Sequence, residues 1–160
     1  FLFSFTIALV LHELGHLVAA HLCRVPLTSI GLGWGPKLWR RTVPDIDCQL
    51  RMLPLGAFVQ LKMNVFHQRP VRQQLLVLGA GIAVNLVLAI VFWGTLFGTL
   101  NLSLAVGNLF PIYQQDGWKG AIVLSRKLLG RSSALVEWTV TISGALIALA
   151  VLAKAFVALV

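Results

Sequence analysis

Residues Phe1–Cys23 read FLFSFTIALVLHELGHLVAAHLC, an apolar run with His12-Glu13-Leu14-Gly15-His16 set in its middle. Phe1 to Leu22 supplies about 22 apolar-dominated residues, enough to cross a hydrocarbon layer roughly 30 Å thick as one helix. On a helix, residues four apart share a face, so His12 and His16 can grip one zinc ion between them. Glu13 projects beside that pair and is placed to take a proton from a metal-activated water. Three fixed residues in five make only a moderately specific motif. Ionisable side chains are expensive inside a membrane span, however, and are kept there for a function. His21, five residues past His16, falls off the shared face and is expected at the interface, where Arg24 ends the run.

The rest of the composition agrees with a membrane setting. With 58% hydrophobic and 11% charged residues among 160, the chain is too apolar for an ordinary soluble domain. It is expected to form one integral membrane domain over residues 1–160. The net charge of +8 is not scattered: eight of the thirteen Lys and Arg lie between Arg24 and Arg72, and four more between Lys119 and Arg131. Basic clusters that flank apolar spans mark cytoplasmic loops and contact with anionic headgroups. No aromatic-studded basic groove points to nucleic acid. By the positive-inside rule the N-terminus lies outside and Arg24 is cytoplasmic. Cys23 and Cys48 then share the reducing side and are expected as free thiols. The chain begins without a methionine, as a trimmed or partial sequence would. Phe1–Cys23 is too long and too well furnished with functional groups for a cleaved signal peptide.

Between residues 27 and 62 the pattern changes. Gly31, Gly33, Gly35, Pro36, Pro44, Pro54 and Gly56 break the sequence into pieces too short to span a membrane. Apolar and polar residues alternate around Cys48-Gln49-Leu50-Arg51-Met52, a strand signal, and Val43-Pro44-Asp45-Ile46-Asp47 reads as a turn between two strands. Gly56 to Leu61 can supply another strand. A small sheet on, or dipping into, the cytoplasmic face is predicted, and His67 is read as a solvated loop residue.

From Gln73 to Gln115 no residue is charged. That length is about twice one span, so a reversal must lie inside it, and Phe97-Gly98-Thr99-Leu100-Asn101 is the expected turn. The spans are then about 1–22, 74–96, 102–124 and 133–158. Gly81 and Asn85 lie one turn apart on the second span, suited to close helix packing and an interhelical hydrogen bond. Pro111 interrupts the third span, because it lacks an amide hydrogen for the carbonyl of Gly107. Irregular backbone at such depth is tolerated where it is buried in protein or lines a water-filled cavity.

Just past that break stands Asp116-Gly117, and apart from Glu13, Asp116 is the sole acid within the first three spans. Lys119, three residues on, is the partner a purely structural acid would want. Depth favours a ligand instead. At 1.5 Å per residue, His12 and His16 lie about 17 to 23 Å from the outer end of the first span, and Asp116 near 21 Å on the third. Two imidazoles and one carboxylate leave the fourth position of tetrahedral zinc open for water.

With these pieces in place the sequence resembles the site-2 protease family of intramembrane zinc metalloproteases over most of its length. The family's HExxH is His12 to His16. Its Asn-Pro-Asp-Gly signature is matched by Asn108, Pro111 and Asp116-Gly117, and its G-x-x-x-N element by Gly81 and Asn85. Gly33-Trp34-Gly35-Pro36 followed by Leu53-Pro54-Leu55-Gly56 is similar to the family's membrane-re-entrant β-loop. The four matches occur in the family's order. Trp118 stands where a second glycine is common, Ile82 where a proline is common, and the PDZ insert many relatives carry is absent.

The resemblance implies His12, His16 and Asp116 as ligands of one Zn2+ per chain and Glu13 as general base. It also implies a cytoplasmic sheet, including Gly56, that presents substrate. Asn108 is the candidate contact to the substrate backbone, with Pro111, Gly117, Gly81 and Asn85 as substrate-binding or supporting residues. The expected fold is a membrane all-α core of about four transmembrane helices, with a small membrane-associated β-hairpin or sheet between the first and second. The expected activity is a zinc metalloendopeptidase cutting within or near transmembrane segments, in a multi-pass protein of a prokaryotic cytoplasmic membrane with its site nearer the cytoplasmic face. Transmembrane proteins and the lipid bilayer are the expected partners. A catalytically silent relative that binds membrane helices would not need Glu13. A small metal transporter would spread its ligands along a path instead of gathering them in one layer.

Overall fold

The computed structural model describes residues 1–130 and 133–157; Arg131 and the expected span end at residue 158 lie outside them. The elements run α1 (Leu2–Leu22), β1 (Leu27–Val43), β2 (Ile46–Leu61), α2 (Met63–Gln68), α3 (Val71–Val91), α4 (Leu96–Leu109), α5 (Asp116–Leu129) and α6 (Ala134–Val157). Among the described residues, α1 and α3 are the two helices long and apolar enough to cross a membrane. The chain divides into two compact units, Phe1–Ala105 and Val106 onward.

In the first unit α1 and α3 run antiparallel: His16 stands beside Val77 and, one turn back, His12 stands beside Gly81. The buried residues are mostly small or slender, with Ala8, Ala19 and Ala20 on α1 facing Val77, Leu78, Ile82 and Ala89 on α3. Small side chains let helix backbones approach closely, which is how helices associate where lipid removes the hydrophobic drive. A Cβ on Gly15 would fall 2.8 Å from the carbonyl oxygen of Ala80. The outward faces expose Leu14, Val18 and Leu22 on α1 and Leu76, Val87, Ile90 and Val91 on α3. A helix apolar all round is matched to an apolar surrounding rather than to water.

The expected sheet is present. Pro44 and Asp45 form the turn, and Lys37–Val43 pairs back on Ile46–Arg51. Ser29–Leu32 of β1 is bordered by Ala57–Gln60 on one side and Asp47–Leu50 on the other. Arg40 Nε donates to Asp47 Oδ1 at 2.7 Å across the hairpin, and this bond holds the Asp47 carboxyl below the usual carboxylate range. Trp34, Leu38, Trp39, Met52 and Leu53 are exposed on this sheet. Cys23 and Cys48 are free thiols, as expected.

Three expectations are corrected. The reversal after the second long helix is not at Phe97–Asn101 but at residues 92–95, where Gly94 has φ +78° and the Thr95 hydroxyl accepts the Gly98 amide at 3.1 Å. Thr95 thereby caps a new helix, and Gly98 and Asn101 lie inside it. The second long helix correspondingly covers Val71–Val91 in place of 74–96. His67 belongs to the short helix α2 and not to a loop, although it is exposed.

In the second unit the interruption anticipated at Pro111 spans 110–115, between the end of α4 and the start of α5. The non-glycine Gln114 takes φ +71° within it. α5 and α6 are joined by an ion pair from Arg126 Nε to Glu137 Oε1 at 2.8 Å.

Candidate metal centre

The helical spacing of four brings the Nε2 atoms of His12 and His16 to 3.1 Å, and both residues are buried. His16 Nδ1 lies 2.7 Å from the carbonyl oxygen of Val77 on α3. A carbonyl can only accept, so Nδ1 carries the hydrogen, and Nε2 is the nitrogen that offers a lone pair whenever the ring is neutral. Backbone carbonyls that orient a metal-binding imidazole act in this way.

Gly81 completes the cradle. A Cβ at that position would fall 2.5 Å from His16 Nε2 and 2.7 Å from His12 Nε2. Only a residue without a side chain leaves room for both rings, so Gly81 is required by close approach and not by its backbone angles. Asn85, one turn further along the same face of α3, is fully buried, and neither amide atom has a hydrogen-bond partner among the described residues.

Glu13 lies one residue past His12, and its Oε2 accepts the backbone N–H of Val59 at 3.0 Å. The end of β2 therefore lies along α1. Gly56, buried with φ +81°, confirms this line: a Cβ there would be 3.4 Å from Leu9 Cδ1, one helical turn before Glu13.

The remaining expected residues belong to the second unit. Asp116 opens α5 and is buried, with Lys119 Nζ 3.0 Å from its Oδ1, the contact anticipated for a structural acid. Gly117 follows where a Cβ would fall 2.2 Å from the carbonyl oxygen of Leu109, so the returning chain packs backbone on backbone. The carbonyl of Pro111 has a similar relation to Gly144, where a Cβ would lie 2.6 Å away. Asn108 is half-buried near the end of α4, and Trp118 stacks edge-on against Tyr113 at 5.1 Å.

Within the first unit, then, His12, His16, Glu13 and Gly81 are gathered at one place. The Val59 amide and the Val77 carbonyl belong to it as well, and sequence reasoning missed both, because a backbone group carries no residue signature. The donor set suits a borderline-soft cation. Two nitrogens bound at about 2.05 Å to a tetrahedral ion stand about 3.3 Å apart, close to the separation found.

Two convergent imidazoles on one helix, with a carboxylate at the next position, define a candidate metal centre of the His-Glu-x-x-His class. The chain belongs to peptidase family M50, whose family model matches residues 1–99 and so includes the histidine pair, Glu13, Gly81 and Asn85. It is 33% identical over 101 residues to a provisionally named zinc metalloprotease of Clostridium perfringens, covering 58% of this chain and 30% of that protein. A provisionally named zinc metalloprotease of Treponema pallidum is 41% identical over 69 residues, 43% of this chain and 15% of its own. A provisionally named chloroplast membrane metalloprotease of Arabidopsis thaliana is 29% identical over 118 residues, 66% of this chain and 26% of its own. The chain thus spans less than a third of the length of these relatives.

Proposed function

We propose that this chain carries the catalytic centre of an integral membrane zinc endopeptidase that hydrolyses peptide bonds within or near transmembrane segments of other membrane proteins. The observation that carries the reading is the pair of imidazoles converging over Gly81 with Glu13 beside them. His12 and His16 would hold one Zn2+ per chain. Asp116 is proposed as third ligand, from its expected depth and from the Asn-Pro-Asp-Gly resemblance, with Lys119 on one carboxylate oxygen. When bound, zinc supplies Lewis acidity that brings the pKa of water down to about 7.

The other steps belong to the chain's own residues. Glu13 takes the proton from water on its carboxylate and returns it to the leaving amine. Asn108 donates to the substrate backbone, while Gly81 keeps both imidazoles in place. Pro111 and Gly117 shape the interruption ahead of Asp116. A helical substrate hides its carbonyls in its own hydrogen bonds, so it unwinds locally and adds as a strand to the β2 edge.

Membrane residence is supported by the apolar outer faces of α1 and α3, and by the exposed tryptophans of the sheet, a residue type enriched at membrane interfaces. The proposed arrangement has four spans, an outside N-terminus and the sheet on the cytoplasmic side.

The test is metal content and cleavage of a model transmembrane peptide by purified wild type beside Glu13→Gln. Wild type should hold about one zinc and cleave. Glu13→Gln should hold zinc and cleave slower by on the order of 10²- to 10⁴-fold, the scale of general-base catalysis. Near-wild-type cleavage by that variant would remove Glu13 from the mechanism.

A further inference from the structure

The end of β2 faces two tasks at once, and its register divides them. Ala57, Phe58, Val59 and Gln60 pair with Leu32, Gly31, Ile30 and Ser29 in unbroken antiparallel order. Along such a strand successive residues turn their backbone N–H and C=O groups to opposite sides. The Gln60 carbonyl faces β1, where it accepts from Thr28 Oγ1 at 3.1 Å. The Val59 amide faces away from β1 and reaches Glu13. Phe58 and Gln60 therefore serve the ladder, while Ala57 and Val59 turn toward α1, about 6.8 Å apart along the edge.

We propose that this edge is divided: the Val59 amide positions Glu13, and the Ala57 amide pairs with the substrate strand. The inference rests on the reading of Glu13 as general base. A glutamate has three rotatable side-chain bonds, and one charge-assisted bond to Oε2 fixes the direction of the whole carboxylate. Since a single amide hydrogen cannot serve both Glu13 and a substrate carbonyl, the rung at Val59 is closed to strand addition. The rung at Ala57 is the next one on the same side. A substrate residue bonded there has the residue two positions along its strand at the level of Val59, where Glu13 is held. Binding and proton transfer are thus registered against each other by two amides of one strand, and Val59 is a positioning residue that touches no substrate.

Two measurements test this. In metal-free protein, amide hydrogen exchange at Val59 should accelerate at least tenfold in Glu13→Ala, while exchange at Phe58 and Gln60 stays at the wild-type rate. Unchanged protection at Val59 would overturn the proposal without any reference to activity. In zinc-loaded protein acting on a transmembrane peptide, Val59→Pro should lower kcat at least tenfold with KM within about twofold. Ala57→Pro should raise KM at least fivefold with kcat at saturation nearly kept. Proline removes no ladder bond at either position, because both amides point away from β1. Val59→Ala keeps the amide and separates its loss from loss of the side chain, so its kcat defect should be less than a third of that in Val59→Pro. Equal kinetic defects in the two proline variants, or a Val59→Ala defect matching Val59→Pro, would overturn the division. If a proline variant fails to fold, the exchange arm decides. A wild type that cleaves no peptide would instead overturn the reading of Glu13 as base, and the positioning role with it, whatever exchange shows of the bond.

Discussion

The carbonyl of Val77 accepts a hydrogen bond from His16 Nδ1–H at 2.7 Å, and that bond decides which nitrogen His16 turns toward His12. One backbone oxygen on α3 thereby sets the tautomer of a side chain on α1. The packing of the two helices and the chemistry of the imidazole pair are a single structural fact. A change that slides α3 along α1 moves the Val77 carbonyl away from His16 and so disturbs the imidazole pair.

Gly81→Ala is the smallest such change. Its methyl would fall within 2.7 Å of ring atoms of both histidines, and neither ring can retreat without breaking its own contacts. Zinc affinity should fall by about 10- to 100-fold, the scale seen when the support of a metal ligand is disturbed. Competition with a chelator of known strength measures it, and wild-type affinity in this variant would place the metal elsewhere.

Asp116 and Lys119 separate two roles for one carboxylate. If Asp116 is a ligand, Asp116→Ala should lose most of its zinc while Lys119→Met keeps it. If the 3.0 Å ion pair is the whole purpose of Asp116, the two variants should lose thermal stability alike and both retain zinc. Metal analysis and a thermal melt on each variant distinguish the outcomes.

Topology is read by cysteine labelling in a background without Cys23 and Cys48. A cysteine at Thr42, near the hairpin turn, should react only from the cytoplasm. The outer probe belongs at Gly94, because the reversal lies at residues 92–95 and Thr99 is inside α4. Labelling of both positions from one side would remove a span from the proposed arrangement.

Substrate unwinding sets a further expectation. In a matched transmembrane peptide series where one central Leu becomes Ala, Gly or Pro, cleavage should quicken toward Gly and Pro, whose helix propensities are about 1 and 3 kcal/mol poorer than that of Ala. Equal rates across the series would mean that substrates are not unwound at the site.

Much of this architecture was legible in the sequence where side chains carry the signal. His12, Glu13 and His16 identify their own helix face. Pro44-Asp45 announces a turn, and Pro111 announces a break. The misplaced reversal shows where the signal fails. Gly98 and Asn101 look like turn residues, but a Cβ on Gly98 would fall 2.1 Å from the carbonyl oxygen of Phe92, so this glycine serves close packing. Asn101 bonds the carbonyl of Phe97 within its own helix. Gly94-Thr95, a left-handed glycine followed by a capping hydroxyl, was the better signal. The link from Val59 to Glu13 could not be read at all, since it joins a backbone amide to a carboxylate 46 positions away.

Asn85 records a compromise between durability and use. Its amide is wholly enclosed, and neither of its polar atoms finds a protein partner among the described residues. A buried polar group left in that condition costs about 1 to 3 kcal/mol. Leucine has the same number of side-chain heavy atoms in the same branched outline and no such penalty, so Asn85→Leu should melt at a higher temperature than wild type. A chain selected for endurance alone would drift to leucine at this position. If the more robust variant proves the poorer hydrolase, the amide is maintained by selection for turnover, and residue 85 marks where this protein gives up robustness to remain active.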